Sequence, residues 1–244
     1  MTHRGTRRDD GQSFALMTLF RAIASRDQQE ASCLLDAVPG LAQQVAEIGA
    51  TRQVSTAYYF KEIEHYVYAG DTALHIAAAA YAREASKKLL ASGASVRARN
   101  RRGAEPLHYA VDGIPDSHTW NPTAQQAIIE CLIEAGADPN SADKSGVTPL
   151  HRAVRARCAV AVRTLLANGA NPCLKNGSGA APLHLAVQNT GRGGTGSSAS
   201  REQQREIILL LLKHGARPTD KNTAGKSVTD SAGVGWVLDL LGSS

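Results

Sequence analysis

The chain has 244 residues, of which 43% are apolar, and a net charge of +5. That length allows a substantial buried core. The longest strongly apolar run, Ile207 to Leu212, is far shorter than the roughly 20 residues of a membrane-spanning helix. The polar, basic segment Met1 to Gln12 lacks the apolar stretch of a secretory signal. These features exclude a membrane-spanning protein and predict a soluble, cytoplasmic one.

The chain is predicted to begin with a disordered basic tail, residues 1–12, followed by a helical N-terminal cap over Phe14 to Ala37. The cap region extends through an insertion, Pro39 to Ala69. Five of the chain's eleven aromatic residues lie between Tyr58 and Tyr68. This concentration predicts an ordered aromatic hairpin at the end of the cap.

From residue 70 onwards a four-residue phrase ending in histidine recurs, which indicates an open stack of small repeated units. Each phrase is followed by two adjacent leucine or isoleucine residues and then, after two more residues, by Gly-Ala. The phrases are Thr72 to His75, Glu105 to His108, Thr148 to His151 and Ala181 to His184. They place four repeats in residues 70–220.

The spacing of the repeats locates the insertions. Fifteen residues always separate the closing glycine of one unit from the histidine of the next, and two units keep a 33-residue period. The other two are longer only between histidine and glycine, through Ile114 to Thr123 and Thr190 to Ser200. Counting backwards places Phe20 in the histidine position of the N-terminal cap.

The local chemistry predicts two helices in each repeat. Proline is favourable in a first helical turn, and glycine in the left-handed conformation ends a helix. A capping box at Ser200 to Gln203 predicts where the second helix restarts after the insertion, and Gly191 to Ala199 reads as a mobile loop. Asp230 takes the histidine position of a degenerate C-terminal cap, residues 221–244, with a helix around Trp236 to Leu241.

These residues resemble the ankyrin repeat family. The phrase Thr148 to Ala153, followed in register by Leu165-Leu166 and Gly169 to Pro172, is a specific match. The resemblance implies a mostly helical solenoid, residues 13–244, in which each repeat has a β-turn finger and two antiparallel helices. It also implies hydrogen bonds from the phrase histidine and a concave face that binds proteins. Departures include Glu105 and Ala181 in place of threonine.

Several motifs suggest cofactor or metal chemistry, but their context argues against it. The G-x-G-x-x-G sequence at Gly191 to Gly196 interrupts a helical hairpin, whereas a dinucleotide site needs it between strand and helix. Gly225-Lys226-Ser227 resembles the end of a phosphate-binding loop, yet Asp220 replaces the required glycine. Histidines one repeat apart cannot converge on one metal ion. We therefore predict no cofactor and no metal.

The aromatic insertion offers an alternative of another class, an enzyme site built from Glu62, Glu64 and His65. If Glu62 to Tyr68 is an extended strand, the two carboxylates lie about 6.6 Å apart on one face. Some glycoside hydrolases use such a separation. A structural hairpin or a partner-binding aromatic patch explains the same residues. A deep pocket beside them would favour the enzyme.

Charge and cysteine content limit the partners and the compartment. The sequence pI of about 9.1 permits binding to nucleic acid or phosphate, but acidic residues interrupt most of the basic stretches. Nucleic acid is therefore an unlikely partner, and a membrane is excluded as one. The cysteines form no C-x-x-C pair; Cys33 and Cys131 occupy equivalent, predicted buried positions. Free thiols indicate a reducing compartment.

The preferred prediction is a monomeric, non-enzymatic module that binds a protein partner. Positions four, six and seven residues before each phrase histidine, and four and five after it, should face the concave side. Trp120 is added as an exposed anchor or as a staple for its own loop. The predicted contacts are Tyr68, Asp71, Arg101, Arg102, Asp112, Trp120, Lys144, Ser145, Val147, Arg155, Gln188 and Asn189. Their positive charge predicts an acidic segment in the partner.

Overall fold

A computed structural model describes residues 6–115, 117–188 and 197–242, with side chains from residue 13 onwards. The chain divides into two compact units. Unit 1 comprises residues 1–110 and 130–137, and unit 2 comprises residues 111–129 and 138–244. The single continuous domain stays a prediction.

Unit 1 contains the N-terminal cap, the aromatic insertion, the first repeat and the beginning of the second repeat. Its helices are α1 (Thr6–Ala24), α2 (Gln28–Ala37), α3 (Ala73–Ala79), α4 (Arg83–Ala91) and α5 (Pro106–Ala110). The insertion forms 3-10 turns at Pro39–Ala42, Thr56–Tyr58 and Lys61–Ile63, and the antiparallel strands β1 (Tyr59–Phe60) and β2 (His65–Tyr66). The boundary between the units falls within α6 (Pro122–Glu134).

Unit 2 contains the later repeats and the C-terminal cap. Its helices are α7 (Pro149–Arg155), α8 (Ala159–Ala167), α9 (Pro182–Ala186), α10 (Ser198–Lys213), α11 (Val228–Ser231) and α12 (Gly235–Gly242). The last of these agrees with the helix predicted around Trp236 to Leu241. The described residues form a mostly helical fold, as predicted.

The core of each unit lies between successive first helices of the repeats and the second helices beside them. In unit 1, α3 packs against α1, α4 and α5, and α2 packs against α4. In unit 2, α7 packs against α8 and α9, and α10 packs against α8, α9 and α12. Leu74 in unit 1 and Leu150 in unit 2 are buried at equivalent phrase positions. Burying such a side chain stabilises the folded state by about 1.5 to 3 kcal/mol, because its apolar surface is removed from water.

The backbone between the paired helices supports the predicted register of the N-terminal cap. Arg26, Tyr81 and Arg157 adopt the left-handed conformation, with φ of 61°, 54° and 58°. Each lies six residues after the histidine position of its own unit. In the cap that position is occupied by Phe20. Phe20 is fully buried. In the cap, the apolar ring of Phe20 therefore replaces the histidine of the repeats.

Glycine is required at the helix ends and in the fingers. Gly93 ends α4 with φ of 88°, and Gly136, Gly169 and Gly215 repeat this geometry. In the first finger Gly70 has φ of 86°, and a Cβ there would lie 2.8 Å from the Cα of Asn100. Positive φ and close backbone contact both favour a residue without a side chain.

The structure corrects three predictions of local structure. Helix α1 begins at Thr6, so the predicted disordered tail is wrong from that residue onwards. Helix α10 begins at Ser198, and its cap is Ser197, which accepts a hydrogen bond from the Ser200 amide. The capping box predicted at Ser200 is therefore three residues too late. The start of the predicted mobile loop, residues 191–196, lies outside the described residues, whereas Ser198 and Ala199 are helical.

The cysteines partly follow the prediction. All four are free thiols, and Cys131 is buried, but Cys33 is exposed, so the equivalence of these two positions does not extend to burial. Burial raises the pKa of the Cys131 and Cys158 thiols above the ordinary cysteine value. Among the described residues, no helix is both long enough and apolar enough to cross a lipid bilayer.

Candidate functional site

The phrase histidines fix each finger to the helix that follows it. In unit 1 the Thr72 amide donates to Nδ1 of His75 over 3.1 Å, and Nε2 of His75 lies 3.1 Å from the carbonyl of Ala104 in the next finger. In unit 2 His151 makes the equivalent contacts with Thr148, 3.3 Å, and the Ala180 carbonyl, 3.0 Å. These bonds confirm the histidine role implied by the family resemblance.

The irregular phrases keep part of this arrangement. The amides of Glu105 and Ala181 donate to Nδ1 of His108 and His184, but Ala181 has no hydroxyl to complete the cap. The buried Nε2 of His184 makes no hydrogen bond to any described residue. In the C-terminal cap, Asp230 replaces the histidine and accepts from the Ser227 amide and hydroxyl at 2.8 and 2.7 Å.

A side chain eight residues before the histidine position organises the later fingers, and the sequence analysis missed it. Oδ1 of Asp143 accepts from the amides of Ser145 and Val147, at 2.8 and 3.1 Å. Asn100, Asn176 and Asn222 make the same pair of bonds in their own fingers. The signal was an Asn or Asp at this fixed offset, because these residues hydrogen-bond backbone amides two residues on.

The first finger has Val67 at that offset and is built differently. Asp71 is fully buried, and its carboxylate accepts from the Tyr68 amide at 2.6 Å, the Asn100 side chain at 2.9 Å and the Tyr109 hydroxyl at 2.8 Å. The prediction that Asp71 faces a partner is therefore wrong. The hydroxyl of Tyr109, in the buried row of first helices, was the available signal, because buried tyrosine hydroxyls need a partner.

Two arginines of the second finger flank the predicted contact residue Tyr68. The guanidinium carbons of Arg101 and Arg102 lie 5.5 and 5.0 Å from the centre of the Tyr68 ring. Both arginines are exposed, and Tyr68 is half-buried. Arg101 also donates to the carbonyl of Ala50 in the insertion. Cation–π contacts and this hydrogen bond hold the two charges at the surface.

The aromatic insertion is an ordered hairpin, as predicted, but with a different geometry. Glu62 lies in a 3-10 turn and Glu64 is left-handed with φ of 50°, so Glu62 to Tyr68 is not one strand. His65 lies against the ring of Tyr109, with the centroids 4.2 Å apart. Val67 is buried. The hairpin thus packs directly on α5, the first helix of the second repeat.

A cavity of about 460 Å³ lies between the insertion and helix α1 in unit 1. Glu62 lines it, together with Arg21 and Lys61, but neither Glu64 nor His65 is among its lining residues. The three side chains proposed for an enzyme site therefore do not share this pocket. The cavity gives the enzyme alternative no support.

In unit 2 an arginine neutralises the predicted contact residue Asp112. Nη1 of Arg152 lies 2.7 Å from Asp112, and its Nη2 lies 3.6 Å from Asp143. Both carboxylates and the arginine are largely shielded from solvent. Lys144 and Ser145 at the fingertip and Arg155 on α7 are exposed, while Val147 is half-buried.

The structure supports the staple role of Trp120. Its indole N–H donates to Oε1 of the buried Gln125 over 2.8 Å, and the Cys158 thiol donates to the same oxygen over 3.1 Å. The ring is half-buried. Trp120 therefore ties its loop to the start of α6 through Gln125, which Cys158 also contacts.

The last predicted contacts lie beside the fourth-repeat insertion. Gln188 is exposed, and its carbonyl accepts from Arg157 at 2.6 Å and from Gln204 at 2.9 Å. These two side chains hold the backbone where the insertion begins, and burial lowers the pKa of the Arg157 guanidinium. Asn189 lies outside the described residues.

The buried phrase histidines are poor proton carriers for chemistry. Burial lowers the pKa of His75 and of His151 below the ordinary value, outweighing the opposing effects of nearby carboxylates and carbonyls. Both nitrogens of each ring already form hydrogen bonds with backbone groups of the fingers. Their arrangement fits a structural role.

Comparison with known proteins identifies the repeats. Residues 123–222 match the family model described as ankyrin repeats in three copies, and residues 69–101 match the model described as an ankyrin repeat. The two matches cover more than half of the chain. No curated protein matches it. With the repeat register, the finger geometry and the histidine bonds agreeing, the chain belongs to the ankyrin repeat family.

Proposed function

We propose that this chain is a non-enzymatic scaffold that binds an acidic segment of a protein partner through its fingers. Ankyrin repeats generally act as protein–protein interaction modules. Among the predicted contact residues, the exposed cations are Arg101 and Arg102 in unit 1 and Lys144 and Arg155 in unit 2. Carboxylate groups of a partner complement the cations of each unit.

The observation that carries this proposal is the internal use of the neighbouring carboxylates. The Asp71 carboxylate accepts hydrogen bonds from buried donors in unit 1, and Asp112 is paired with Arg152 in unit 2. Neither carboxylate is therefore exposed to form an ion pair with an arginine at the fingertips. Uncompensated surface charge steers an oppositely charged partner and raises the association rate.

Pre-organisation of the arginines supports the same function. Arg101 and Arg102 both lie over Tyr68, which limits the side-chain freedom lost when a carboxylate binds. A guanidinium can also bind a carboxylate through two parallel hydrogen bonds. Unit 1 thus offers an ordered pair of hydrogen-bond donors that can bind an acidic side chain.

We propose that the protein acts as a monomer in the cytoplasm. Four free thiols, two of them buried with raised pKa, fit a reducing compartment. Size-exclusion chromatography with light scattering measures the mass directly, and a dimer would contradict the monomer.

The test is a comparative pull-down from nuclease-treated native cell extract, analysed by mass spectrometry. The baits are the native chain, Arg101→Glu with Arg155→Glu, and a control with Arg201→Glu and Arg205→Glu on α10. The proposal expects a protein that the native and control baits capture and that the finger variant loses. Equal capture by all three baits would contradict it.

A further inference from the structure

A row of three tyrosines continues the arginine site along the insertion. This tyrosine ladder consists of Tyr59, Tyr66 and Tyr68. The Tyr59 and Tyr66 ring centres are 4.8 Å apart, and those of Tyr66 and Tyr68 are 6.4 Å apart. Tyr59 and Tyr66 are 40% and 37% exposed. Neighbouring, partly exposed rings of this kind are a typical protein-binding surface.

The two ends of the ladder differ in charge. Arg101 and Arg102 adjoin Tyr68 at one end. At the other end Tyr59 lines the 460 Å³ cavity, where Arg21 and Lys61 are accompanied by Glu30 and Glu62. The two charged groups over the Tyr68 ring are both cations, whereas the charges at the Tyr59 end are of both signs. A segment lying along the ladder therefore has a preferred direction.

We propose that the ladder and the arginine pair bind an extended, proline-containing segment of the partner, with its acidic residues at the arginine end. This inference rests on the proposed function, because it names the chemistry of the segment that the fingers bind. It adds the ladder as a second, apolar half of the same site. It also assigns the insertion a binding role beyond its packing on α5.

Polyproline II geometry fits the dimensions of the ladder. Proline-rich segments dock on aromatic surfaces because their extended conformation is already formed. At about 3.1 Å per residue, a segment of about five residues spans from Arg102 to Tyr59.

The same geometry disfavours single-stranded nucleic acid. Base stacking needs an open ring face, but two guanidiniums lie over the Tyr68 ring. Tyr59 and Tyr66 are tilted by 50° at 4.8 Å and leave no slot for a base between them. The charges at the Tyr59 end are mixed, Arg21 and Lys61 with Glu30 and Glu62, and so provide no continuous cationic track for a phosphate backbone. A peptide is the better match.

Fluorescence anisotropy with labelled peptides tests the inference on the full chain. The probe is the peptide EDPPVPPS. Its controls are EDAAVAAS, which lacks the prolines, QNPPVPPS, which lacks the acids, and an oligouridylate of similar length. We expect EDPPVPPS to bind about tenfold more tightly than either control peptide. The oligouridylate should bind no better than the control peptides.

Variants separate the two halves of the site. Tyr66→Thr keeps a strand-forming residue and should remove the preference for proline, whereas Tyr66→Phe should retain it. Arg102→Glu should remove the preference for acid, and Arg83→Glu on the outer helix α4 should change neither. Thermal unfolding followed by circular dichroism checks that each variant is folded.

The outcomes distinguish this inference from the proposed function. Equal binding of EDPPVPPS and EDAAVAAS, or no binding of EDPPVPPS at millimolar concentration, would overturn the inference while partner capture through Arg101 and Arg155 still stands. Preferred binding of the oligouridylate would overturn it in favour of nucleic acid. A pull-down that is insensitive to the finger arginines would instead contradict the proposed function.

Discussion

The first and third fingers reach the same turn by different means. In the third finger, Asp143 accepts from the amides of Ser145 and Val147 and so holds its own backbone. In the first finger Val67 occupies that position, and the insertion supplies the bonds: the Ala46 amide donates to the Asp71 carbonyl over 2.7 Å, and the Gly70 amide to the Ala46 carbonyl over 2.7 Å. An inserted segment has replaced a local side-chain turn.

This difference explains why similar positions have different functions. The first finger depends on Asp71 as a buried acceptor, so its carboxylate is unavailable to a partner. The third finger needs no such support, and Lys144 and Ser145 remain exposed at its tip. Position relative to the histidine alone therefore does not decide which side chains a partner can reach.

The largest expected effect tests the register on which the finger comparison depends. Leu150 is buried in α7 of unit 2. Leu150→Ala should lower the free energy of unfolding by about 2 to 5 kcal/mol, because it removes apolar contacts and leaves a cavity. Urea denaturation measures this. A loss below about 1 kcal/mol with unchanged cooperativity would mean that the register is wrong.

A matched pair of substitutions compares the two fingers directly. Asp71→Ala should lower the free energy of unfolding by about 2 to 4 kcal/mol, since it removes a buried acceptor of the Tyr109 hydroxyl and one of the two acceptors of the Asn100 side-chain amide. Asp143→Ala should cost about 1 to 2 kcal/mol, because the amides it releases lie nearer to solvent. The same denaturation experiment gives both values. If Asp143→Ala costs more, the first finger does not depend on Asp71 as described.

A smaller effect should appear as a pH dependence shared by both units. Burial lowers the pKa of His75 and His151 in the folded protein, whereas the unfolded chain takes up protons near pH 6.5. Stability is thus complete above pH 6.5 and falls as the pH drops towards the lowered folded pKa. The slope is at most about 1.4 kcal/mol per pH unit for each histidine.

Urea midpoints at pH 7.5, 6.5 and 5.5 measure this slope. A variant with His75→Gln and His151→Gln is the control and should show a flatter profile between about pH 6.5 and 5.5. Asp230, whose pKa is lowered by hydrogen bonds from Ser227, acts only at more acidic pH. A native chain whose stability is constant down to pH 5.5 would contradict the neutral, buried histidines.

The repeats were predictable because their signals are local. The phrase, the closing glycine and the constant spacing predicted the two helices of each repeat and placed Phe20 and Asp230 in the histidine position. The hydrogen bonds of His75 and His151 followed from the resemblance. Such features recur in every repeat, so the repeats of one chain can be compared with one another.

The contact surface was less predictable because it depends on partners distant in sequence. Asp71 is buried by Asn100 and Tyr109, which lie 29 and 38 residues away. Asp112 is paired with Arg152, which lies 40 residues away. Repeat spacing says which positions are equivalent, but not which charges are neutralised across repeats. The 3-10 turn at Glu62 likewise depends on packing of the hairpin.

The most direct test of the central claim is the association rate with the captured partner at low and high salt. Arg101→Glu with Arg155→Glu should slow association about tenfold at low ionic strength, and the difference should shrink as salt screens the charges. The control pair Arg201→Glu and Arg205→Glu should associate at the native rate under both conditions. Equal slowing by both pairs, or none by either, would contradict the claim that the finger arginines select the partner.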